Sequence, residues 1–420
     1  MAARFRWRAR YTVLSVVFFS SILCFMDRMV ISVLIPFISE DFKLTAFESG
    51  VVMSAFFAAY SLAQIPGGML ADKYGVRSVT TVAMVIWSLF TAVTGYVTSF
   101  AQMIIARFAF GLGEGVFPAA AFKTVAVWFP KEERATANAI KLASSPLGGA
   151  LAPLVVVAIM QFGDWRTVFH ILLFPGIIMA ALFWYYVRNH PAESPRVSRE
   201  ELLEIEPEST DVGGSSAKIE LSLALKDPMI VKYFLVLFAF DITYWGFISW
   251  LPSYLVQERG FSLGEMGLAA SLPFFAGTVG AVAGGWVSDR YFSERRRAPL
   301  LVMQLAIALL LYLSFVTTSV PILVICQTLA GFALSFFIAA FWALPMNTVA
   351  KEHMGVISGA INMAGQVAAF LSPMAVGFLV GAADGGYGLT FAFLILCVII
   401  SFLLTLTLPS RLRPLGATTS

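Results

Sequence analysis

Long apolar segments alternate with short polar ones along nearly the whole chain. A lipid bilayer offers no hydrogen-bond partner to a backbone amide, so a spanning segment must be a helix of about 20 mainly apolar residues. The pattern therefore predicts an all-α integral membrane protein with twelve transmembrane helices. These helices lie near 11–38, 47–71, 78–98, 101–123, 136–160, 167–188, 229–256, 265–288, 299–317, 320–345, 355–380 and 389–409.

The basic residues indicate which side of the membrane is cytoplasmic, because Lys and Arg are retained there. Of 28 such residues, only Lys43, Arg166 and Arg259 fall in loops on the opposite side when both termini are cytoplasmic. Arg28 and Arg107 fall inside predicted helices. The charge distribution therefore supports an even number of spans with both termini in the cytoplasm.

One long polar segment, residues 189–228, separates six predicted helices from the other six. The sequence thus predicts an N-terminal six-helix bundle over 1–188, a cytoplasmic linker over 189–228, a C-terminal six-helix bundle over 229–410 and a cytoplasmic tail over 411–420. The acidic part of the linker could form a short interfacial helix. The linker carries too few large apolar groups to bury a core of its own.

Short patterns recur in the two halves, as in transporters built from structural repeats, at an offset of about 220 residues. They are Gly67–Tyr74 with Gly284–Tyr291, Arg107 and Gly111 with Gln327 and Gly331, and Ala139, Ile140 and Pro153 with Ala360, Ile361 and Pro373. Repeats of this kind predict that a pseudo-twofold axis relates the two bundles.

Composition excludes several classes of protein. With 59% hydrophobic and 13% charged residues, against about 45–50% and about 25% in soluble domains, the chain cannot be a water-soluble globule. A net charge of +3 is too small to indicate a nucleic-acid partner. Three cysteines within apolar runs and three histidines do not form a recognised metal motif, and no cofactor cradle or nucleophile motif indicates an enzyme.

Four charged residues fall inside predicted helices of the first half: Asp27, Arg28, Arg107 and Glu114. Charge at membrane depth is costly and usually faces a wet cavity or a partner charge, so each is a candidate functional residue. Arg107 and Glu114 are seven residues apart and share one helix face with Gly111 between them. That glycine leaves room either for a ligand or for another helix.

Arg28 and Arg107 are candidate substrate-binding residues, because a planar guanidinium can hold a carboxylate bidentately. The substrate indicated is an organic anion. The alternative is a fixed internal bridge, Arg28 with Glu114 or Arg107 with Asp27, since buried ions are usually paired. An anion that moves towards a negative interior needs a driving ion, and a carboxyl group in a cavity of low dielectric can carry a proton near neutral pH.

The segment Gly68–Arg77 resembles the G-x-L-A-D-[RK]-x-G-x-[RK] pattern of the major facilitator superfamily, and a partial second copy contains Asp289 and Arg290. The resemblance covers essentially the whole chain. Glycine permits close helix contact there, and the acid with its basic neighbours can bridge helix ends. Asp72, Arg77, Asp289 and Arg290 are therefore candidate gating residues.

Within that superfamily, Phe25–Arg28, Arg107–Pro118 and Trp128–Arg134 resemble the anion:cation symporter branch, mainly in the first half of the chain. This resemblance implies a sugar acid or another organic anion as substrate and the proton as coupling ion, with no other cofactor. It assigns proton coupling to Asp27 and Glu114. It also implies a bacterial inner-membrane location, and we expect a monomer.

The second half supplies further candidates. Asn362 occupies the place where similar sugar-acid transporters have a substrate-binding asparagine, and Gln366 lies one turn later on the same helix face. Tyr244 and Trp245 could offer a hydroxyl and a stacking surface to a polyhydroxylated substrate, as could Trp342, although each tryptophan could equally face lipid or the core. The remaining candidate, Asp241, could face substrate or bond to a neighbouring helix.

Lys141, about two turns into the fifth predicted helix, is a further candidate, although a snorkelling side chain that reaches the cytoplasm is the favoured interpretation. The segment Ser145–Gly149 resembles part of a pattern of drug antiporters. The sequence as a whole therefore predicts a proton-coupled importer of an organic anion that works by alternating access. An efflux antiporter and a non-transporting membrane sensor stay open as alternatives.

Overall fold

The structure is a computed structural model that describes residues 7–205, 227–348 and 354–410. The predicted tail, 411–420, and the section 206–226 of the predicted linker lie outside the described residues. The structure is helical throughout the described spans.

Eight helices precede the undescribed part of the linker, and a 3₁₀ turn at Pro191–Glu193 lies between the last two. They are α1 (Ala9–Phe42), α2 (Ala46–Tyr74), α3 (Val76–Thr94), α4 (Phe100–Glu114), α5 (Phe117–Trp128), α6 (Arg134–Met160), α7 (Trp165–Tyr186) and α8 (Arg199–Ile205). Six further helices follow, and a π-helical turn at Tyr254–Glu258 extends the first of them. They are α9 (Pro228–Ser253), α10 (Leu263–Tyr291), α11 (Arg297–Val316), α12 (Val320–Thr348), α13 (Met354–Ala382) and α14 (Gly388–Leu406).

Within the described residues, 12 helical segments are long and apolar enough to cross a membrane, which confirms the predicted number of spans. Their ends lie within a few residues of the predicted ones, except that the fourth span runs over Phe100–Trp128 and is interrupted between α4 and α5. The predicted limits of the two bundles and of the linker stay a prediction.

Contacts group the chain into two compact units. The first contains Met1–Leu34 and Ala55–Gly213, and the second contains Ile35–Ser54 and Gly214–Ser420. In the first unit, α8 closes the start of α1, because the Glu201 carboxylate accepts hydrogen bonds from the backbone N–H groups of Ala9 and Arg10 at 3.1 and 2.9 Å. A carboxylate at a helix N-terminus satisfies unpaired N–H donors and favours the helix dipole.

In the second unit, glycines let α10 and α12 pack backbone against backbone. A Cβ atom on Gly280 would lie 2.2 Å from the carbonyl oxygen of Phe332, and one on Gly284 would lie 2.4 Å from that of Phe336. Small residues at helix contacts are the usual device of membrane proteins, where close packing replaces the hydrophobic effect.

A matched pair of substitutions in α10 tests this contact. Gly280→Ala should destabilise the protein by about 1–3 kcal/mol, because the added methyl group overlaps the α12 backbone. Gly285→Ala, whose added Cβ meets nothing within 4 Å, should leave stability unchanged or raise it slightly through helix propensity. Thermal unfolding of both variants in the same detergent measures the difference, and equal melting temperatures would contradict the packing described.

Candidate functional site

The break between α4 and α5 sets the position of Glu114. Pro118 has no N–H group and cannot donate to the carbonyl of Glu114 four residues earlier, so the helical ladder is interrupted there. Accordingly α4 ends at Glu114, a turn covers Gly115 and Val116, and α5 begins at Phe117. The Glu114 side chain, at a helix end inside the span, is fully buried.

Glycines bring α4 against α2 beside this acid. A Cβ on Gly111 would lie 2.5 Å from the Phe56 carbonyl oxygen, and a Cβ on Gly115 would lie 2.5 Å from that of Tyr60. Of the two uses predicted for Gly111, the structure shows the helix contact. The close approach places Phe56 and Tyr60 next to the charged residues.

Arg28 and Glu114 form a buried ion pair. The Arg28 Nη2 and Nε atoms donate to the same oxygen, Oε1 of Glu114, at 2.5 and 3.0 Å. The guanidinium carbon also lies 4.4 Å from the ring centroid of Tyr60 and 5.2 Å from that of Phe25. Cation–π contacts of this kind stabilise a desolvated guanidinium. One of the two bridges that the sequence left open is therefore present.

Arg107 and Asp27 do not form the other bridge. Both are buried, at 1% and 2% exposure, and they interact electrostatically. Within the described residues, however, Nε and Nη2 of Arg107 and both carboxylate oxygens of Asp27 have no hydrogen-bond partner. The Arg107 guanidinium instead lies 4.5 Å from the ring centroid of Phe110. A buried guanidinium with unused donors is suited to bind an anion.

Lys141 lies in α6 and is buried at 7% exposure, and its Nζ atom is 4.0 Å from the ring centroid of Phe122. Snorkelling predicts that the ammonium group reaches the cytoplasmic surface, whereas the residue as a whole is largely buried, and the role of Lys141 stays a prediction. Ser145, one turn further along α6, is partly buried.

In the second unit, Asp241 on α9 is buried and faces α13, where a Cβ on Gly365 would lie 2.5 Å from the Asp241 Oδ2 atom. Gly365 belongs to the same stretch of α13 as the exposed Asn362 and the partly buried Gln366. The structure thus places Asp241 against the stretch of α13 that contains these two polar candidates.

The aromatic candidates of the second unit lie on two helices. Tyr244 and Trp245 of α9 contact each other edge to face, with ring centroids 5.3 Å apart. Trp342 of α12 is partly buried and lies against the neighbouring Phe341, with ring centroids 6.0 Å apart. Their predicted role in binding substrate stays a prediction.

The two acids of the repeated motif have partners that the sequence did not predict. Asp72 pairs with Lys123 of α5 at 2.5 Å, while Asp289 pairs with Arg296 at 2.7 Å. Arg77 donates instead to the Trp184 carbonyl oxygen and stacks on that ring at 3.8 Å, and Arg290 is exposed. In each unit the acid therefore bridges to a base outside its own motif, and the predicted gating roles stay predictions.

Sequence analysis missed Phe56, Tyr60 and Phe110, whose rings surround the two arginines. A signal was available, because Phe56 and Tyr60 are four residues apart, as are Gly111 and Gly115 on the facing helix. Residues four apart share one helix face. The two glycines therefore mark a face of α4 that permits close packing, and Phe56 and Tyr60 mark the face of α2 that packs against it.

Comparison with known proteins agrees with the fold and with the family resemblance. A family model described as Major Facilitator Superfamily matches residues 17–373. The chain is 31% identical to the hexuronate transporter of Bacillus subtilis, covering 86% of each chain, and 33% identical to the probable sulfoacetate transporter SauU of Cupriavidus necator, covering 92% of this chain and 90% of that one.

Two further similarities extend the comparison. The probable galactarate/D-glucarate transporter GarP of Escherichia coli is 34% identical, with 88% of each chain covered. A crystal structure of a bacterial homolog to the human lysosomal transporter Spinster, described as inward-facing and unoccupied, matches with a TM-score of 0.83 at 21% identity, over 98% of this chain and 100% of that one. At that identity the structural match shows the fold alone.

A double-mutant cycle tests the buried ion pair. Arg28→Met or Glu114→Leu alone should destabilise the protein by about 3–5 kcal/mol, because each leaves one uncompensated buried charge. The double variant should lose much less stability than the sum of the two single losses. Unfolding of all four proteins under identical detergent conditions gives the coupling energy. Additive losses would mean that the two groups do not interact.

Proposed function

The chain belongs to the Major Facilitator Superfamily, and on that basis we propose that it is a secondary active transporter that takes up a sugar acid together with protons. Like its relatives it is a transporter and not an enzyme. It is a multi-pass protein of the bacterial inner membrane. The relatives named for hexuronate and for galactarate or glucarate support a hexuronate, aldonate or aldarate as substrate.

One observation carries the proposal: the first unit contains a buried Arg107 whose Nε and Nη2 donors have no partner among the described residues. Leaving a buried charge uncompensated is costly, and a substrate carboxylate would supply both the charge and the acceptors. We assign Arg107 as the primary anion-binding residue, with Asn362, Gln366, Tyr244, Trp245 and Trp342 as candidates for contacts with the rest of the sugar acid.

Proton coupling in this proposal acts through the pair between Arg28 and Glu114. A proton that binds Glu114 neutralises the carboxylate and weakens its hold on Arg28, which then becomes available to the substrate. Asp27, also buried and without a hydrogen-bond partner among the described residues, is a second proton-binding residue. Substrate and proton thus favour each other's binding, which is the requirement for symport.

The remaining parts of the proposal concern architecture. The transporter is a monomer of two six-helix bundles that are related by a pseudo-twofold axis, and both termini lie in the cytoplasm. Movement of the bundles exposes the substrate site to one side of the membrane at a time. A gating role for Asp72, Arg77, Asp289 and Arg290 is part of this proposal, and the ion pairs of Asp72 and Asp289 each lie within one unit. The proton is the coupling ion, and no other cofactor is involved.

Arg107→Gln tests the anion-binding assignment. In proteoliposomes with an imposed proton gradient, the variant should bind and take up a sugar acid at least about 30-fold more weakly, because a buried charge-assisted contact is lost. Arg295→Gln is the matched control, since Arg295 is exposed, and it should transport like the unmodified protein. Unchanged uptake by Arg107→Gln would refute the assignment.

Glu114→Gln tests the coupling. The unmodified protein should accumulate the sugar acid when the side from which it is taken up is acidified, and the variant should exchange substrate across the membrane without accumulating it, because Gln cannot carry the proton. Uptake and internal pH measured together in oriented vesicles give the stoichiometry. An unchanged proton stoichiometry in Glu114→Gln would overturn the role of this residue.

The same vesicles separate the rival functions. An efflux antiporter would move the substrate opposite to the protons, whereas a sensor would bind the substrate and show no net flux. Either result with the unmodified protein would overturn symport.

A further inference from the structure

Lys141 is a buried cation of the first unit, as are Arg28, Arg107 and Arg10, of which Arg10 pairs with Glu133 and Glu204. Within the described residues, no carboxylate forms an ion pair with Lys141. Its ammonium nitrogen lies 4.0 Å from the ring centroid of Phe122. The residue as a whole is 7% exposed. An ammonium group loses more hydration on burial than a guanidinium does, and a ring face replaces only part of it.

The position of Lys141 relates it to the charged cluster. Seven residues after Lys141, Gly148 packs against α1, where its Cβ would lie 2.4 Å from the Ile22 carbonyl oxygen and 3.1 Å from the Met26 nitrogen. Residues seven apart share a helix face. Lys141 therefore lies on the face of α6 that meets α1, and it is near enough to Arg28 of that helix for the two cations to repel each other.

Counting charges shows why this lysine matters. Arg28, Arg107 and Lys141 are three cations, whereas Asp27 and Glu114 are two acids, and the only ion pair among these five groups in the described structure joins Arg28 to Glu114. With both acids ionised these groups carry a net charge of +1, because Asp27 interacts electrostatically with Arg107 even without an ion pair. When a proton binds Asp27 or Glu114 in the proposed symport, the net charge becomes +2, which a substrate with two anionic groups compensates fully and a substrate with one carboxylate only in part.

We infer that Lys141 is a specificity-determining residue that holds the second anionic group of a dianionic substrate, while Arg107 holds the first. The inference rests on the proposed function and narrows it: the transporter discriminates in favour of dicarboxylates such as aldarates, or compounds with a carboxylate and a sulfonate, over monoanionic aldonates and uronates. Arg28, released when Glu114 is protonated, lies on the helix that faces Lys141 and adds to the positive charge around a dianion.

The test measures a ratio of affinities. A six-carbon aldarate and the aldonate of the same length are compared at pH 7, where every carboxyl group of both is ionised. Dissociation constants are measured by titration calorimetry on the purified protein, and uptake is measured in proteoliposomes. The unmodified protein should prefer the aldarate by roughly 10- to 100-fold, the value of one charge-assisted hydrogen bond.

Lys141→Met should abolish this preference, because the aldarate loses a contact that the aldonate does not make, and Lys141→Arg should restore most of it. Lys131→Met, at an exposed lysine, is the control and should keep the preference. If Lys141 has a merely structural role, Lys141→Met should weaken the binding of both compounds equally and leave the ratio of their dissociation constants unchanged. That result would overturn the inference.

The outcomes separate the two proposals. If the unmodified protein binds and transports the aldonate at least as well as the aldarate, the assignment of Lys141 fails and the proposed function stands. If neither compound, nor any uronate, is bound or transported, the proposed function itself fails, and this inference with it. If Lys141→Met does not fold, the affinities of the unmodified protein for the aldarate and the aldonate still test the inference.

Discussion

The burial of charge inside a single bundle of membrane helices is the constraint on which the other features of the site depend. Hydrocarbon does not solvate a guanidinium, so each one must be compensated by a partner, a ring face or a ligand. Arg28 has both a partner carboxylate and ring faces. Among the described residues, Arg107 and Lys141 contact ring faces and form no ion pair, although Arg107 interacts electrostatically with Asp27. This difference separates Arg28 from the two cations that we propose as anion-binding residues.

The backbone around the site also helps to compensate the buried charges. Pro118 ends α4 at Glu114, so the acid lies at a helix end rather than in mid-helix. The glycines of α4 bring α2 close enough for Phe56 and Tyr60 to contact the arginines. The proline and the glycines thus determine how the helices pack, and this packing brings rings into contact with the buried guanidinium groups and stabilises them.

The sequence predicted the spans well because a bilayer imposes one strong rule, that about 20 apolar residues form a helix. It did not predict the break after Glu114, although Pro118 was available as a signal. Prolines are common within membrane helices, and eight other helices of the described structure contain one in their interior. In the site, the four charged residues could be identified from their depth. The ion pairs that these and other charged residues form could not be predicted, because pairing depends on side-chain geometry. Arg28 pairs with Glu114, Arg107 forms no ion pair within the described residues, and Asp72 contacts Lys123 rather than Arg77. For Lys141, a side chain that reaches the cytoplasm was the favoured interpretation because lysine usually snorkels, whereas the structure shows a largely buried residue with its ammonium group beside the ring of Phe122.

The central claim is that a substrate carboxylate compensates the charge of Arg107. The most direct test is an experimental structure of the protein with a sugar acid bound. The account predicts a carboxylate oxygen about 2.8 Å from a guanidinium nitrogen of Arg107. A bound sugar acid whose carboxylate lies elsewhere, with Arg107 still resting on Phe110 and without an acceptor, would contradict it.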